Sequence, residues 1–208
     1  TMLRHSFLEK NMKNIIIDKK NMFPRTFKGW GTSLCWWANR VGHSEKLISD
    51  AADLFFDKEK GLGLNIMRYN IGGGDDPTHT HIKRTDSMMP GFLEKDSETG
   101  ELKWNYEADN RQLDVLEACY KASANDAYVE AFSNSPPYFM TVSGCSSGSK
   151  NAIANNLKKS CVTDFAEYLA TVCGYINNEM GIKIGSLAAM NEPFTNYWRA
   201  YSPKQEGC

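Results

Sequence analysis

Ile182-Lys183-Ile184-Gly185-Ser186-Leu187-Ala188-Ala189-Met190-Asn191-Glu192-Pro193 is the stretch on which the fold turns. It reads as a strand, Ile182 to Met190, that runs directly into an amide, a carboxylate and a proline. The same layout recurs upstream. Leu64-Asn65-Ile66-Met67-Arg68-Tyr69 is a strand leading into a long polar loop, from Asn70 to about Glu107, that begins Ile71-Gly72-Gly73-Gly74-Asp75-Asp76-Pro77. Tyr128-Val129-Glu130-Ala131-Phe132 leads into Ser133-Asn134-Ser135-Pro136-Pro137-Tyr138. Phe27 to Trp37, Gly-spaced and aromatic, reads as a strand that leaves its sheet through Cys35-Trp36-Trp37.

Helical spacing fills the intervals. Ser44 is placed to cap a helix carrying Leu47, Ile48, Ala51, Ala52, Leu54 and Phe55, with Gly61 and Gly63 as its stop. Asp109 and Gln112 read as a capping box opening a helix that turns Leu113, Leu116, Cys119 and Tyr120 inward. A third helix follows Thr163, with Phe165, Leu169, Val172, Cys173 and Ile176 on one stripe, and Gly181 closes it.

Four strands alternating with three helices predict an α/β fold of parallel strands with right-handed crossovers. Two architectures meet that description, a doubly wound sheet and a (β/α)8 barrel. Trp36 and Trp37, Arg68 and Asp75, Asn134 and Ser135, and Asn191 and Glu192 all lie at or just past a strand's carboxyl end. A barrel converges those ends on one face, where such enzymes carry their chemistry. A doubly wound sheet concentrates function at one switch point, usually with a Gly-rich turn after the first strand. Here the Gly-rich turn follows the second strand and lacks the G-x-G-x-x-G order, which favours the barrel.

The composition suits a soluble globular chain: 208 residues, 41% hydrophobic, 24% charged, net charge −1. With 24 basic against 25 acidic residues, no charge excess points to nucleic acid or an anionic membrane. No apolar run approaches the ~18 residues of a membrane span, and no signal peptide is visible. Residues 1–25 read as an N-terminal extension or lead-in strand around Ile15-Ile16-Ile17, with Met12 as an alternative start. Six cysteines are dispersed without a C-x-x-C pair, so zinc ribbons and thioredoxin-like motifs are excluded. Cys35, Cys119 and Cys173, in apolar periodic segments, are expected as reduced packed thiols. His79-Thr80-His81 has no third ligand near in sequence and is expected to be a surface loop. No metal or organic cofactor is implied.

Glu192 is the sharpest candidate for chemistry. A carboxylic acid on such a rim, partly desolvated, serves as a general acid; a surface glutamate in a turn is the plain alternative. Arg68 is placed to pair with a carboxylate, for chemistry or as a structural salt bridge. Trp36-Trp37 offers a flat face to a sugar ring, although strand alternation sends one of the two into the core. Gly72-Gly73-Gly74, with no P-loop lysine or following helix, reads as a flexible turn rather than a phosphate cradle.

Taken together, Gly29-Trp30-Gly31-Thr32-Ser33-Leu34-Cys35-Trp36-Trp37-Ala38-Asn39, Met67-Arg68-Tyr69-Asn70-Ile71-Gly72-Gly73-Gly74, Ser133-Asn134-Ser135-Pro136-Pro137-Tyr138-Phe139-Met140 and Met190-Asn191-Glu192-Pro193 resemble glycoside hydrolase family 30. Within it they resemble the endo-β-1,6-galactanase-like branch. The resemblance implies a (β/α)8 TIM barrel of clan A glycosidases and retaining hydrolysis of a β-linked polysaccharide. It matches Glu192 to the general acid/base and Asn191 to the amide that binds the substrate 2-hydroxyl. Arg68 matches an arginine near the nucleophile, and Asp75 an aspartate that binds sugar hydroxyls. Several relatives have Trp where this chain has Asn134, and some have an aspartate where Trp36 stands. These departures bear on the sugar bound beside the acid rather than on the reaction.

In this family the nucleophile is a glutamate after the seventh strand. Glu130, mid-strand, and Glu206, in the last residues, do not match its motif. Residues 26–208 are accordingly expected to be the N-terminal half of a barrel catalytic domain, about its first four βα units, inactive until a C-terminal half completes it. A non-catalytic carbohydrate-binding half-barrel or pseudoenzyme is the alternative from another class. A polysaccharide substrate argues for export, while a start at Met12 argues for the cytoplasm.

Overall fold

The computed structural model describes residues 25–193 and 195–207, together with residues 16, 18 and 20. The expected lead-in strand around residues 15–17 therefore lies almost wholly outside the described residues. In chain order the elements are β1 (Gly31–Ser33), α1 (Trp37–Val41), α2 (Glu45–Phe56), β2 (Ile66–Asn70), β3 (Leu93–Lys95), β4 (Leu102–Trp104), α3 (Asn110–Ala122), β5 (Tyr128–Phe132), α4 (Val162–Asn178) and β6 (Ile184–Ala188).

β1, β2, β5 and β6 form one sheet, in that spatial order, and each neighbouring pair is parallel. Strand order follows chain order with no reversal. The switch point of a doubly wound sheet is thus absent from these four strands, as the barrel reading requires.

Side-chain alternation divides the sheet into two unlike faces. Met67, Tyr69, Val129 and Ala131 are fully buried on the side covered by the helices. They pack with Ala52 and Phe56 of α2, Leu113, Leu116 and Cys119 of α3, and Phe165, Leu169, Val172 and Ile176 of α4. On the other face Arg68 stands in register with Glu130, and Glu130 with Ser186. The Arg68 and Glu130 side chains remain 32% and 35% exposed there. β1 and β6 are the sheet's two edges, and Leu187 of β6 is exposed. This is half of a barrel's wall, with its concave face open.

Several local expectations are corrected. The strand expected over Phe27–Trp37 is only Gly31–Ser33, because Trp37 begins α1. Its indole N–H donates to the Ser33 carbonyl (2.8 Å), and its ring packs on Phe55 (5.3 Å between centroids). Ser44 caps α2 as expected, with its hydroxyl facing Leu47 N. However, α2 ends at Phe56 rather than at Gly61, because the Asp57 carboxylate accepts from the backbone of Glu59 and Lys60 (2.8 Å each) and turns the chain. Within the long loop β3 and β4 form an antiparallel hairpin that periodicity missed; each strand has only three residues.

Gly72 and Gly73 are buried, so the glycine run is a close contact and not a flexible turn. A Cβ on Gly73 would lie 2.4 Å from the Pro136 carbonyl oxygen and 2.6 Å from that of Ser135. Tyr168 of α4 braces the same run: its hydroxyl donates to Gly72 O (2.5 Å) and accepts from Phe92 N (3.0 Å). The five described cysteines are unbridged, with Cys119 buried and Cys35 and Cys173 partly so. No described helix is long and apolar enough to cross a membrane.

Candidate active site

The carboxyl ends of β2, β5 and β6 meet around Arg68. Its Nε donates to Glu130 Oε1 (2.5 Å), its Nη2 to Asn191 Oδ1 (3.0 Å), and its guanidinium lies over the Phe132 ring, 3.5 Å from the centroid. An arginine fork held on three sides is a rigid positioning element. Because Asn191 Oδ1 is taken, its amide N–H2 is the part left to donate to a ligand. The Asn191 backbone N–H is itself fixed on Ser133 O (2.9 Å).

Glu192 follows with φ of +51°, a left-handed backbone that is uncommon outside glycine and turns its side chain out of the strand's alternation. The residue is exposed, so the described residues do not supply the partial burial expected for it. Tyr197, which the sequence reading did not single out, donates its hydroxyl to Glu192 Oε2 (2.6 Å), and Thr195 donates to the Glu192 carbonyl (3.0 Å). The bond to Glu192 pushes the Tyr197 phenol above its ordinary pKa.

Behind this rim runs a buried polar chain. Asp109 does not form the expected capping box: it makes no cap hydrogen bond and is instead buried beneath β2. Its Oδ2 accepts from Tyr69 Oη (2.7 Å) and Gln112 Nε2 (2.6 Å), and Gln112 Nε2 also reaches Asn70 O (2.8 Å). Burial pushes the Asp109 carboxyl up to about 7 and Tyr69 well above the usual phenol range. The Asn70 side chain accepts from Asn134 N (3.3 Å) and donates to Glu206 Oε2 (3.4 Å), which puts Asn134 3% exposed at the end of β5.

Glu206 is the largest departure from the sequence reading. Although it sits among the last residues, it is 1% exposed, its other oxygen has no partner among the described residues, and burial raises it well above the carboxylate range. It helps line a cleft of about 410 Å³ with Gly73, Asp75, His79, Met89 and Tyr138.

Asp75 lies in that cleft, apart from the Arg68–Asn191 group. It accepts from the backbone N–H groups of Asp76 (3.0 Å) and Ser146 (3.2 Å). His79 and His81, expected on a surface loop, both turn onto Asp75 instead and are only 20% and 11% exposed. The two tryptophans separate: Trp37 is spent in packing, while Trp36 stays half-buried with the Arg84 guanidinium 6.0 Å from its ring centre. Arg68, Asn191 and Glu192 are thus brought together, Asn134 is tied in through Asn70, and Asp75 and Trp36 stand to the side.

Comparison with known proteins bears on this arrangement. Endo-beta-1,6-galactanase of Hypocrea rufa is 33% identical over 202 residues, which is 88% of this chain and 40% of that protein. Exo-beta-1,6-galactobiohydrolase of Bifidobacterium longum subsp. longum is 28% identical over 236 residues, 88% of this chain and 15% of that one. A conserved exported protein from Bacteroides fragilis, of known structure, superposes with a TM-score of 0.73 at 24% identity, over 92% of this chain and 39% of that chain. The chain therefore spans 40% or less of the length of each. The shared fold is the (β/α)8 barrel, of which about four βα units are present here. The sequence model of O-glycosyl hydrolase family 30 matches residues 12–208, nearly the whole chain, and to that family the chain belongs.

Proposed function

We propose that residues 26–208 are the N-terminal half of the catalytic domain of a retaining O-glycosyl hydrolase that cleaves β-1,6-linked galactan. Residues 1–25 lead into it. The observation that carries this reading is the Arg68–Asn191 bond, which orients an amide donor at the end of a parallel strand with Glu192 as the next residue in the chain. The names of the two sequence relatives support galactan as the substrate.

In this mechanism Glu192 protonates the departing glycosidic oxygen, then takes a proton from the water that releases the sugar. Retention requires a second carboxylate about 5–5.5 Å away to attack the anomeric carbon. That nucleophile comes from the completing half of the barrel. Asn191 donates to the 2-hydroxyl, Tyr197 holds the Glu192 carboxyl by one oxygen, and Arg68 positions Asn191. Trp36, Asn134 and Asp75 line the approach and bear on which sugar fits; Trp37, being packed, shapes the wall only.

The test is Glu192→Gln in the chain extended to a complete barrel. It is expected to abolish hydrolysis of galactan, a substrate with a poor leaving group, while aryl galactosides with good leaving groups still release their phenol. Undiminished galactan hydrolysis removes Glu192 from the mechanism. Sugar binding without turnover by the unsubstituted complete protein would place it among binding proteins instead.

A further inference from the structure

We infer that Asp75, His79 and His81 form a binding site for a divalent transition-metal ion of the zinc type. His79 Nδ1 lies 3.1 Å from Asp75 Oδ1, and His81 Nε2 lies 3.5 Å from Asp75 Oδ2. One ligand atom from each of the three side chains falls within 4.8 Å of the other two. Metal–ligand bonds of 2.0–2.1 Å in a tetrahedron set the ligand atoms about 3.3 Å apart. Each imidazole nitrogen already lies near that distance from one oxygen of the shared carboxylate, and the three groups, all within 4.8 Å of one another, need close up only slightly to hold one ion. Two imidazole nitrogens and one carboxylate oxygen form a donor set suited to zinc rather than to magnesium or calcium, which take oxygen ligands.

The surroundings hold the three groups in place. Backbone N–H groups of Asp76 and Ser146 fix the carboxylate. The Ser147 hydroxyl, 3.0 Å from His81 Nε2, shares the nitrogen that would face the ion and has to turn aside when the ion binds. The Tyr201 ring packs edge-on against both imidazoles, 5.2 and 5.4 Å between centroids. Such outer contacts orient ligands for a metal. Nδ1 of His81 is buried without a partner, so the ring is engaged only through the nitrogen that faces Asp75. Asp75 and His79 also line the 410 Å³ cleft, which leaves room for a water or a ligand hydroxyl as a fourth donor. The inference stands on these side chains alone and does not require the chain to be a glycosidase.

The experiment uses the full-length protein, without a polyhistidine tag, stripped with EDTA and titrated with Co2+. Expected is the visible d–d absorption of four-coordinate cobalt, saturating at one equivalent and abolished by one equivalent of Zn2+. His79→Gln and His81→Gln keep a side-chain N–H for Asp75 but lose the imidazole, and each is expected to weaken binding more than about tenfold. His43→Gln, at an exposed histidine elsewhere, leaves it unchanged. Absence of a saturable cobalt spectrum in the unsubstituted protein overturns the site and leaves a hydrogen-bonded His–Asp cluster. A spectrum that survives both glutamine variants places the metal elsewhere and overturns it equally.

Discussion

Asp109→Asn isolates one buried charge beneath the rim. Asp109 is 1% exposed, accepts from Tyr69 and Gln112 through a single oxygen, and has its carboxyl raised from 3.8 to about 7 by burial. The sign follows from linkage. Between about pH 4 and pH 7 the unfolded chain ionises this group while the folded protein keeps it protonated, so stability falls as pH rises and levels off above pH 7. A shift of about 3 units at ~1.36 kcal/mol each gives a total loss on the order of 4 kcal/mol, of which about 3 kcal/mol falls between pH 5 and pH 8. Asparagine is neutral throughout, and its carbonyl oxygen can take the Tyr69 and Gln112 bonds. Urea denaturation at pH 5 and pH 8 reads the effect as a difference of differences. This matters because Glu206, also raised by burial, slopes the same way in both proteins. The stability of the variant relative to the parent is expected to rise by about 3 kcal/mol between pH 5 and pH 8. Parallel pH profiles for the two proteins would refute a protonated Asp109.

Two further substitutions test the rim. Gly73→Ala drives a Cβ to 2.4 Å from a backbone carbonyl and disturbs the backbone N–H that Glu206 accepts from. A stability loss of about 1–3 kcal/mol is expected from denaturation midpoints, and an unchanged midpoint would show that the loops part freely there. Tyr197→Phe removes the one side-chain donor to the Glu192 carboxyl among the described residues. Loss of this exposed bond should lower kcat on galactan in the complete barrel by no more than about tenfold, with KM unmoved. A kcat equal to the parent's would make the contact incidental.

The parts of the site visible in the sequence are those whose signal is short-range. Arg68, Asn191 and Glu192 each sit at the carboxyl end of an apolar run, and a parallel sheet is enough to assemble them. Sequence order could not show that Arg68 reaches Asn191, 123 positions away, or that its carboxylate partner is Glu130. Glu206 illustrates the limit more sharply. Its segment carries no period, and its burial depends on Asn70, 136 positions earlier, and on Gly207 N bonding Ser146 O. The histidine pair failed for a similar reason: its third partner, Asp75, is close in sequence, but only a loop folded back on itself brings both rings onto it. Asp109 shows the reverse error, since a capping-box pattern was present and tertiary burial recruited the carboxylate instead.

The same contacts decide which carboxylates near the strand ends are free for covalent chemistry. Glu130 holds Arg68 and is thereby bound up in positioning Asn191. Asp75 accepts from two backbone amides and faces two imidazoles. Asp109 is sealed beneath the sheet, and Glu206, though it borders the cleft, is 1% exposed; burial raises both carboxyls and favours their protonated, non-nucleophilic form. Of these carboxylates Glu192 is the exposed one, tethered by one phenolic donor, and the proposed mechanism therefore gives it the proton exchange with a bound sugar. A retaining reaction needs a second, ionised carboxylate on the opposite side of the anomeric carbon. Arg68 and Glu130, one-third exposed along the open face, mark the side from which the proposed mechanism would bring that group. On the proposed function the half-wall thus supplies the acid, its orienting tyrosine and the amide, and the nucleophile is expected from the strands that close the barrel.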